Sequence, residues 1–134
     1  MTKHKDTRDT KAEMDALSHE IIGAAIEVHR AIGPGLLESI YEDCLAHELA
    51  LRGIAFKRQV DVPLIYKGIR LECGYRLDML VEDSVILELK AVEHILPVHE
   101  VQLLTYLRLT RKWLGLLLNF HVTVLQRGIR RIVN

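Results

Sequence analysis

Asp78, Glu88 and Lys90 are the residues of this chain whose types and spacing are best suited to chemistry. They fall in two strand-like runs, residues 74–81 and 85–91, separated by Glu82, Asp83 and Ser84. If those three residues form the loop, Val81 pairs with Val85, and counting back sets Asp78 opposite Glu88. Directly opposed side chains have Cβ atoms roughly 4.5–5.5 Å apart, and like charges there are destabilising. Glu88 and Lys90 are two apart on one strand, so both share the face of Asp78. Leu77, Met79, Leu87 and Leu89 then fill the other face. Two acids and a lysine on one face of an apolar hairpin cost stability unless something cationic joins them. A divalent metal is the economical candidate, because hard cations take carboxylate oxygens. The bland alternative is a solvated sheet face carrying alternating charges. A two-residue turn would also undo the constellation, since a one-residue slip sends the acids to opposite faces.

Gln102 and Tyr106 are i, i+4, hence on one helix face, where a helix crossing the sheet would bring them over the acids. His99 lies one helical turn before Gln102 and is the histidine placed to touch a substrate. The other histidines, at 4, 19, 29, 47, 94 and 121, form no HxxxH or HxH and have no cysteine at ligand spacing, which argues against a zinc site. Glu38 shares a helical face with Tyr41 and Leu45, although an acid in a first turn also suits the helix dipole. Tyr41 reads as a packing residue with a hydrogen-bonding tip. Basic residues cluster as Arg108, Arg111 and Lys112, and again as Arg127, Arg130 and Arg131. Such runs are usually solvated faces, and here they are also the candidates for phosphate contacts.

The elements that must position these residues are legible from periodicity. Residues 1–13 are polar and read as a loose tail, leaving 14–134 as one domain. From Leu17, apolar residues recur at helical spacing through Ile32, with Ser18 as N-cap, up to the breaker Gly33-Pro34-Gly35. A second helix is predicted from about Leu36 to Arg52, closed by Gly53 as C′ residue. Strands are predicted at 56–66 and 69–73 around a hairpin-like turn, then at 74–81 and 85–91. Pro97 opens a third helix with Val98, Val101, Leu104, Leu107 and Leu109 as its apolar positions. The apolar run 114–120 has the mark of a central strand buried on both faces, and 129–133 adds a final strand. The order is α-α-β-β-β-β-α-β, with the last strand optional, which is an α/β layered domain.

Composition narrows the function classes. The apolar share of 49% and charged share of 27% are those of an ordinary globular domain. Net charge is zero, so any nucleic-acid contact comes from a local basic patch. Aromatics are scarce, which argues against a stacking platform for single strands. Two isolated cysteines, Cys44 and Cys73, form no framework, and the charged N-terminus lacks a signal-peptide core; the expectation is a reduced, cytoplasmic protein with no membrane contact. No GxxxxGK[ST] or GxGxxG string encodes a nucleotide-driven motor.

Gly35-Leu36-Leu37-Glu38-Ser39-Ile40-Tyr41 matches the signature of the bacterial GxxExxY proteins. Tyr75-Arg76-Leu77-Asp78, Glu88-Leu89-Lys90-Ala91, 102–107 and 115–120 are similar to the rest of that family, in the same order over roughly residues 17–134. The family resembles the PD-(D/E)xK nucleases, and Gln102 with Tyr106 resembles the QxxxY motif of their RecB-like branch. One departure is that Leu77 stands where the superfamily's proline precedes its aspartate. The resemblance implies a nuclease-like core with a mixed sheet of about 4–6 strands flanked by helices. It further implies Mg2+ or Mn2+ held by Asp78, Glu88 and the Leu89 carbonyl, with Glu38 as a direct or water-mediated ligand. Lys90 would orient or activate the attacking water, and Gln102 and Tyr106 would position metal, water or backbone. The implied activity is phosphodiester hydrolysis, in DNA more than RNA. Its rivals are a catalytically silent nucleic-acid-binding or assembly module, and a homodimer serving a larger complex.

Overall fold

The structure is a computed structural model that describes residues 7–134, side chains at 7–10, 73 and 74 excepted. Helices α1 (Thr7–Ile32) and α2 (Glu38–Leu51) are followed by strands β1 (Phe56–Tyr66), β2 (Ile69–Val81) and β3 (Val85–Lys90). Helix α3 (Pro97–Thr110), strand β4 (Leu114–Asn119), a 3-10 turn (Leu125–Gly128) and strand β5 (Ile129–Val133) complete the chain. The five strands lie side by side in chain order. Only β3 and β4 are parallel, as the α3 crossover between them requires; the other neighbours are antiparallel. This is the mixed α/β architecture expected.

Local chemistry explains most boundaries. At the end of α2 the Gly53 N–H donates to the Ala50 carbonyl and the Ile54 N–H to the Leu49 carbonyl. Gly53 adopts φ 72, so the predicted C′ glycine closes a Schellman motif. Lys67 and Gly68, with φ 48 and 83, form the two-residue type I′ turn between β1 and β2. Pro97 stands at the start of α3, where its missing N–H costs nothing. His99 caps that helix: its Nδ1 accepts the Leu96 N–H at 3.0 Å.

Four expectations need correction. Helix α1 begins at Thr7, so residues 7–13 are helical and only 1–6 of the expected tail lie outside the described residues. Ser18 is accordingly no N-cap but a buried residue inside the helix, its hydroxyl donating to the Asp15 carbonyl. The segments 69–73 and 74–81 are one continuous strand, because an isolated glycine without a following turn residue does not end a strand. On α3 the buried residues are Leu103, Tyr106 and Leu107, while Val98 and Val101 are exposed.

The sheet carries a core on each face. Met79, Val81, Val85, Leu87, Leu89, Leu114, Leu116 and Leu118 pack under α1 and α2 with Ile21, Leu45 and Phe120. Leu80, Ile86 and Leu117 pack under α3 with Leu103, Tyr106 and Leu107. Leu77 joins this second cluster, not the first as the alternation predicted, and the pairing of β1 with β2 skips the step at Asp78 next to it. Among the described residues no helix is long and apolar enough to cross a membrane.

Candidate active site

The β2–β3 loop decides whether the acids meet. Glu82 and Asp83 both adopt positive φ, 52 and 54, and the Ser84 N–H donates to the Val81 carbonyl, as in a type I′ turn. Such a turn alone would pair Val81 with Ser84. Ser84 is instead an extra residue, so Val81 pairs with Val85, Leu80 with Ile86 and Met79 with Leu87. The next step sets Asp78 beside Glu88, as the loop count predicted.

There the ladder stops and side chains replace it. The Asp78 N–H donates to Glu88 Oε2 at 3.0 Å, and the Leu89 N–H donates to Asp78 Oδ2 at 2.8 Å. Each carboxylate thus accepts a backbone N–H from the opposite strand and is locked in place by it. Among the described residues, Asp78 Oδ1 and Glu88 Oε1 carry no protein hydrogen bond.

Burial and mutual repulsion make this pair costly to ionise. Glu88 is 7% exposed, and loss of solvation, followed by the Asp78 charge, pushes its carboxyl from an ordinary 4.5 up to about 8. Desolvation also raises Asp78, and the carboxylates of Glu42 and Glu38 add to it. Lys90 acts the other way on both acids but forms no direct ion pair among the described residues. Its backbone carbonyl accepts the Phe120 N–H, fastening the end of β3 to β4.

Helix α2 delivers two further acids. Tyr41, fully buried, donates its hydroxyl to the Gly33 carbonyl at 2.5 Å and accepts the Leu36 N–H at 3.2 Å. Its ring stacks on Phe120, centroids 4.5 Å apart. That contact ties the Gly33-Pro34-Gly35 turn to the sheet and sets where α2 starts, with Glu38 as its first residue. Glu38 is felt electrostatically by both acids but stands off from them: among the described residues no three His, Cys, Asp or Glu side chains converge as a preformed metal cage.

The other expected site residues are scattered. Tyr106 is buried in the α3 core, its ring 6.0 Å from that of Tyr75, while Gln102 is exposed and has no hydrogen bond to Asp78, Glu88 or Lys90. His99 is committed to its helix cap. Of the basic residues, Lys112 pairs with Asp83, and Arg131 pairs with Asp15 and lies over the Trp113 ring. Arg130 donates to the carbonyls of Arg127 and Ile129. Arg108, Arg111 and Arg127 are exposed and form no ion pair among the described residues.

Sequence reasoning missed two features beside the acids. Asn119, buried at the end of β4 in register with Lys90, accepts the Val92 and His121 N–H groups and donates to the Val92 carbonyl. Glu42, also buried, accepts hydrogen bonds from Arg58 and Gln59. The signal for Asn119 was a lone amide ending an apolar run; Glu42 carried none beyond lying four residues after Glu38.

Two carboxylates with free oxygens, raised affinity for protons and a lysine nearby form a donor set suited to a hard divalent cation, which commonly binds one or two protein carboxylates and fills its remaining positions with water and phosphate. A family model described as the PD-(D/E)XK nuclease superfamily matches residues 15–132. Among curated proteins and solved structures nothing matches.

Proposed function

The chain belongs to the PD-(D/E)XK nuclease superfamily, and on that premise we propose that it hydrolyses phosphodiester bonds in DNA with Mg2+ or Mn2+ bound between Asp78 and Glu88. The observation that carries the reading is the pair of reciprocal backbone bonds, which hold the buried Glu88 and the half-buried Asp78 side by side where the strand ladder ends. Burial raises the pKa of both acids, and the neighbouring carboxylates raise them further, more than Lys90 and the backbone N–H groups lower them, so folding disfavours their charge. A divalent cation would offset that charge and polarise a phosphoryl oxygen.

In this reading the carboxylates of Asp78 and Glu88 and the Leu89 carbonyl would hold the cation, with Glu38 as a further direct or water-mediated ligand. Lys90 orients the attacking water and offsets the negative charge that grows on phosphate. The water oxygen bonds to phosphorus as the bond to the leaving sugar oxygen breaks; the water gives up a proton to solvent, and the departing oxygen takes one from solvent to become a hydroxyl. Gln102, exposed on α3, takes a role toward the substrate backbone, and the buried Tyr106 positions α3. Of the expected basic residues, Arg108, Arg111 and Arg127, exposed and without an ion pair among the described residues, are the candidates for phosphate contacts. Lys112, Arg130 and Arg131 are engaged within the protein, and His99 in its cap, so we leave them out of the interface.

One observation favours the rival reading of a silent nucleic-acid-binding module: among the described residues no third carboxylate closes on the pair. Incubating the protein with labelled DNAs and RNAs and Mg2+ or Mn2+, beside Glu88→Ala, separates the two. Cleavage that Glu88→Ala abolishes supports the nuclease; binding without cleavage, unchanged in Glu88→Ala, supports the silent module.

A further inference from the structure

The β1–β2 ladder has a gap beside the acid pair. Its register runs Arg58 to Met79 and Val60 to Leu77, which leaves Gln59 facing Asp78 without a paired step. Gln59 instead adopts a left-handed backbone, φ 52, in the middle of a strand. For an L-residue that conformation is strained, and such strain persists only where surroundings impose it.

Those surroundings are side chains. Gln59 Nε2 donates to Glu42 Oε1 at 3.0 Å, and Arg58 Nε donates to Glu42 Oε2 at 2.8 Å. A second Arg58 nitrogen reaches Asp43. Both oxygens of the buried Glu42 carboxylate are thereby occupied, so it holds structure together and offers no open ligand.

We propose that Glu42 and Gln59 form a positioning clamp for Asp78, which rests on the nuclease reading for its purpose though not for its geometry. On the sheet side, the clamp keeps the strand pair open at Asp78. That frees the aspartate to lock against β3, its N–H on Glu88 and its Oδ2 on the Leu89 N–H. On the helix side, Glu38 is one turn before Glu42 and shares its face. Anchoring Glu42 therefore sets the rotation of α2 that aims Glu38 toward the acids. Neither residue touches the reacting atoms; both act through Asp78 and Glu38.

The test reads the clamp without relying on activity. Gln59→Glu sets a second carboxylate against Glu42, and adding Glu42→Gln restores a carboxylate–amide pair with the roles exchanged. In metal-free protein, amide hydrogen exchange at Asp78 and Leu89 should accelerate about ten-fold or more in Gln59→Glu, with Leu116 and Leu118 in β4 unchanged. The double variant should return to the parental rate. Mn2+ affinity should fall about ten-fold or more in the single variant and recover in the double. If Gln59→Glu does not fold, Gln59→Gly gives the same reading, since glycine accepts the left-handed backbone and only the amide is lost. Parental exchange at Leu89 in a folded variant overturns the proposal, and so does equal acceleration at Leu116 and Leu118. Absence of Mn2+ binding in the parent would count against the nuclease reading alone, because exchange at Leu89 still decides the clamp.

Discussion

Replacing Glu88 with glutamine should stabilise the metal-free protein, and by more as pH rises. The substitution keeps an oxygen to accept the Asp78 N–H and removes the charge. Glu88 has its folded-state pKa raised from an ordinary 4.5 to about 8. The folded chain therefore holds this proton more tightly than the unfolded chain, and parental stability falls as pH climbs through that window. At about 1.4 kcal/mol per pH unit, the penalty is about 3 kcal/mol at neutral pH and approaches about 5 kcal/mol above the folded pKa. Asp78, raised in the same direction, adds to the slope. The buried amide brings its own cost of about 1–3 kcal/mol where its N–H groups lack acceptors, but that cost does not depend on pH. The diagnostic quantity is therefore how the gap between variant and parent changes. Urea denaturation in EDTA should show the gap widening by about 4 kcal/mol in favour of Glu88→Gln between roughly pH 5 and pH 8.5. A gap that stays constant over this range would refute the claim that Glu88 folds into a site hostile to its charge.

Metal should reverse that penalty: millimolar Mn2+ should raise the parental melting temperature by several degrees, as binding to the folded state alone adds about 2.7 kcal/mol at a hundredfold excess over Kd. Asp78→Asn should melt above the parent in EDTA and gain little from Mn2+; superimposable parental melts with and without the ion would count against the site. Lys90→Ala should abolish cleavage while Mn2+ binding, followed by calorimetry, is kept or tightened, and parental turnover would remove Lys90 from the reaction. Tyr41→Phe strips the hydroxyl from the Gly33 carbonyl and the Leu36 N–H. It should cost about 1–3 kcal/mol by denaturation and weaken Mn2+ binding through Glu38; an unperturbed variant would show the turn to be held by packing alone.

What could be read ahead of the structure was local. Counting residues in Glu82-Asp83-Ser84 was enough to place Asp78 beside Glu88, although the turn beneath that count proved to be a two-residue one with Ser84 added. Proline at the start of α3 and glycine at the end of α2 declared themselves because each satisfies a backbone requirement within a few residues. The missed features are long-range. The first turns of α1 are carried where Lys11 lies over Trp113 and Asp15 pairs with Arg131, more than a hundred residues away. Pattern reading saw only a polar stretch there. Gln59 offered no cue either, since a glutamine in a strand has no local reason to turn left-handed. Its reason is Glu42, on another element.

The two acids are not tolerated by the fold so much as built into its hydrogen bonding. A hydrophobic pair at 78 and 88 would allow the ladder beyond Met79 and Leu87 to close, removing the charge penalty and extending the sheet. Glutamine and asparagine would keep the bonds to the Asp78 and Leu89 N–H groups while removing the charge. The chain has neither. It keeps ionisable carboxyls in both positions, satisfies one oxygen of each with backbone and, among the described residues, leaves the other without a protein hydrogen bond. Lys90 then stands near enough to lower the cost for both acids without neutralising either directly. A site for structure alone would be expected to pair its charges, as Arg58 does with Glu42 and Asp43 in the same neighbourhood. Two carboxylates left half-engaged, beside a pair fully engaged, separate the residues that hold the fold from those that the proposed cation would engage.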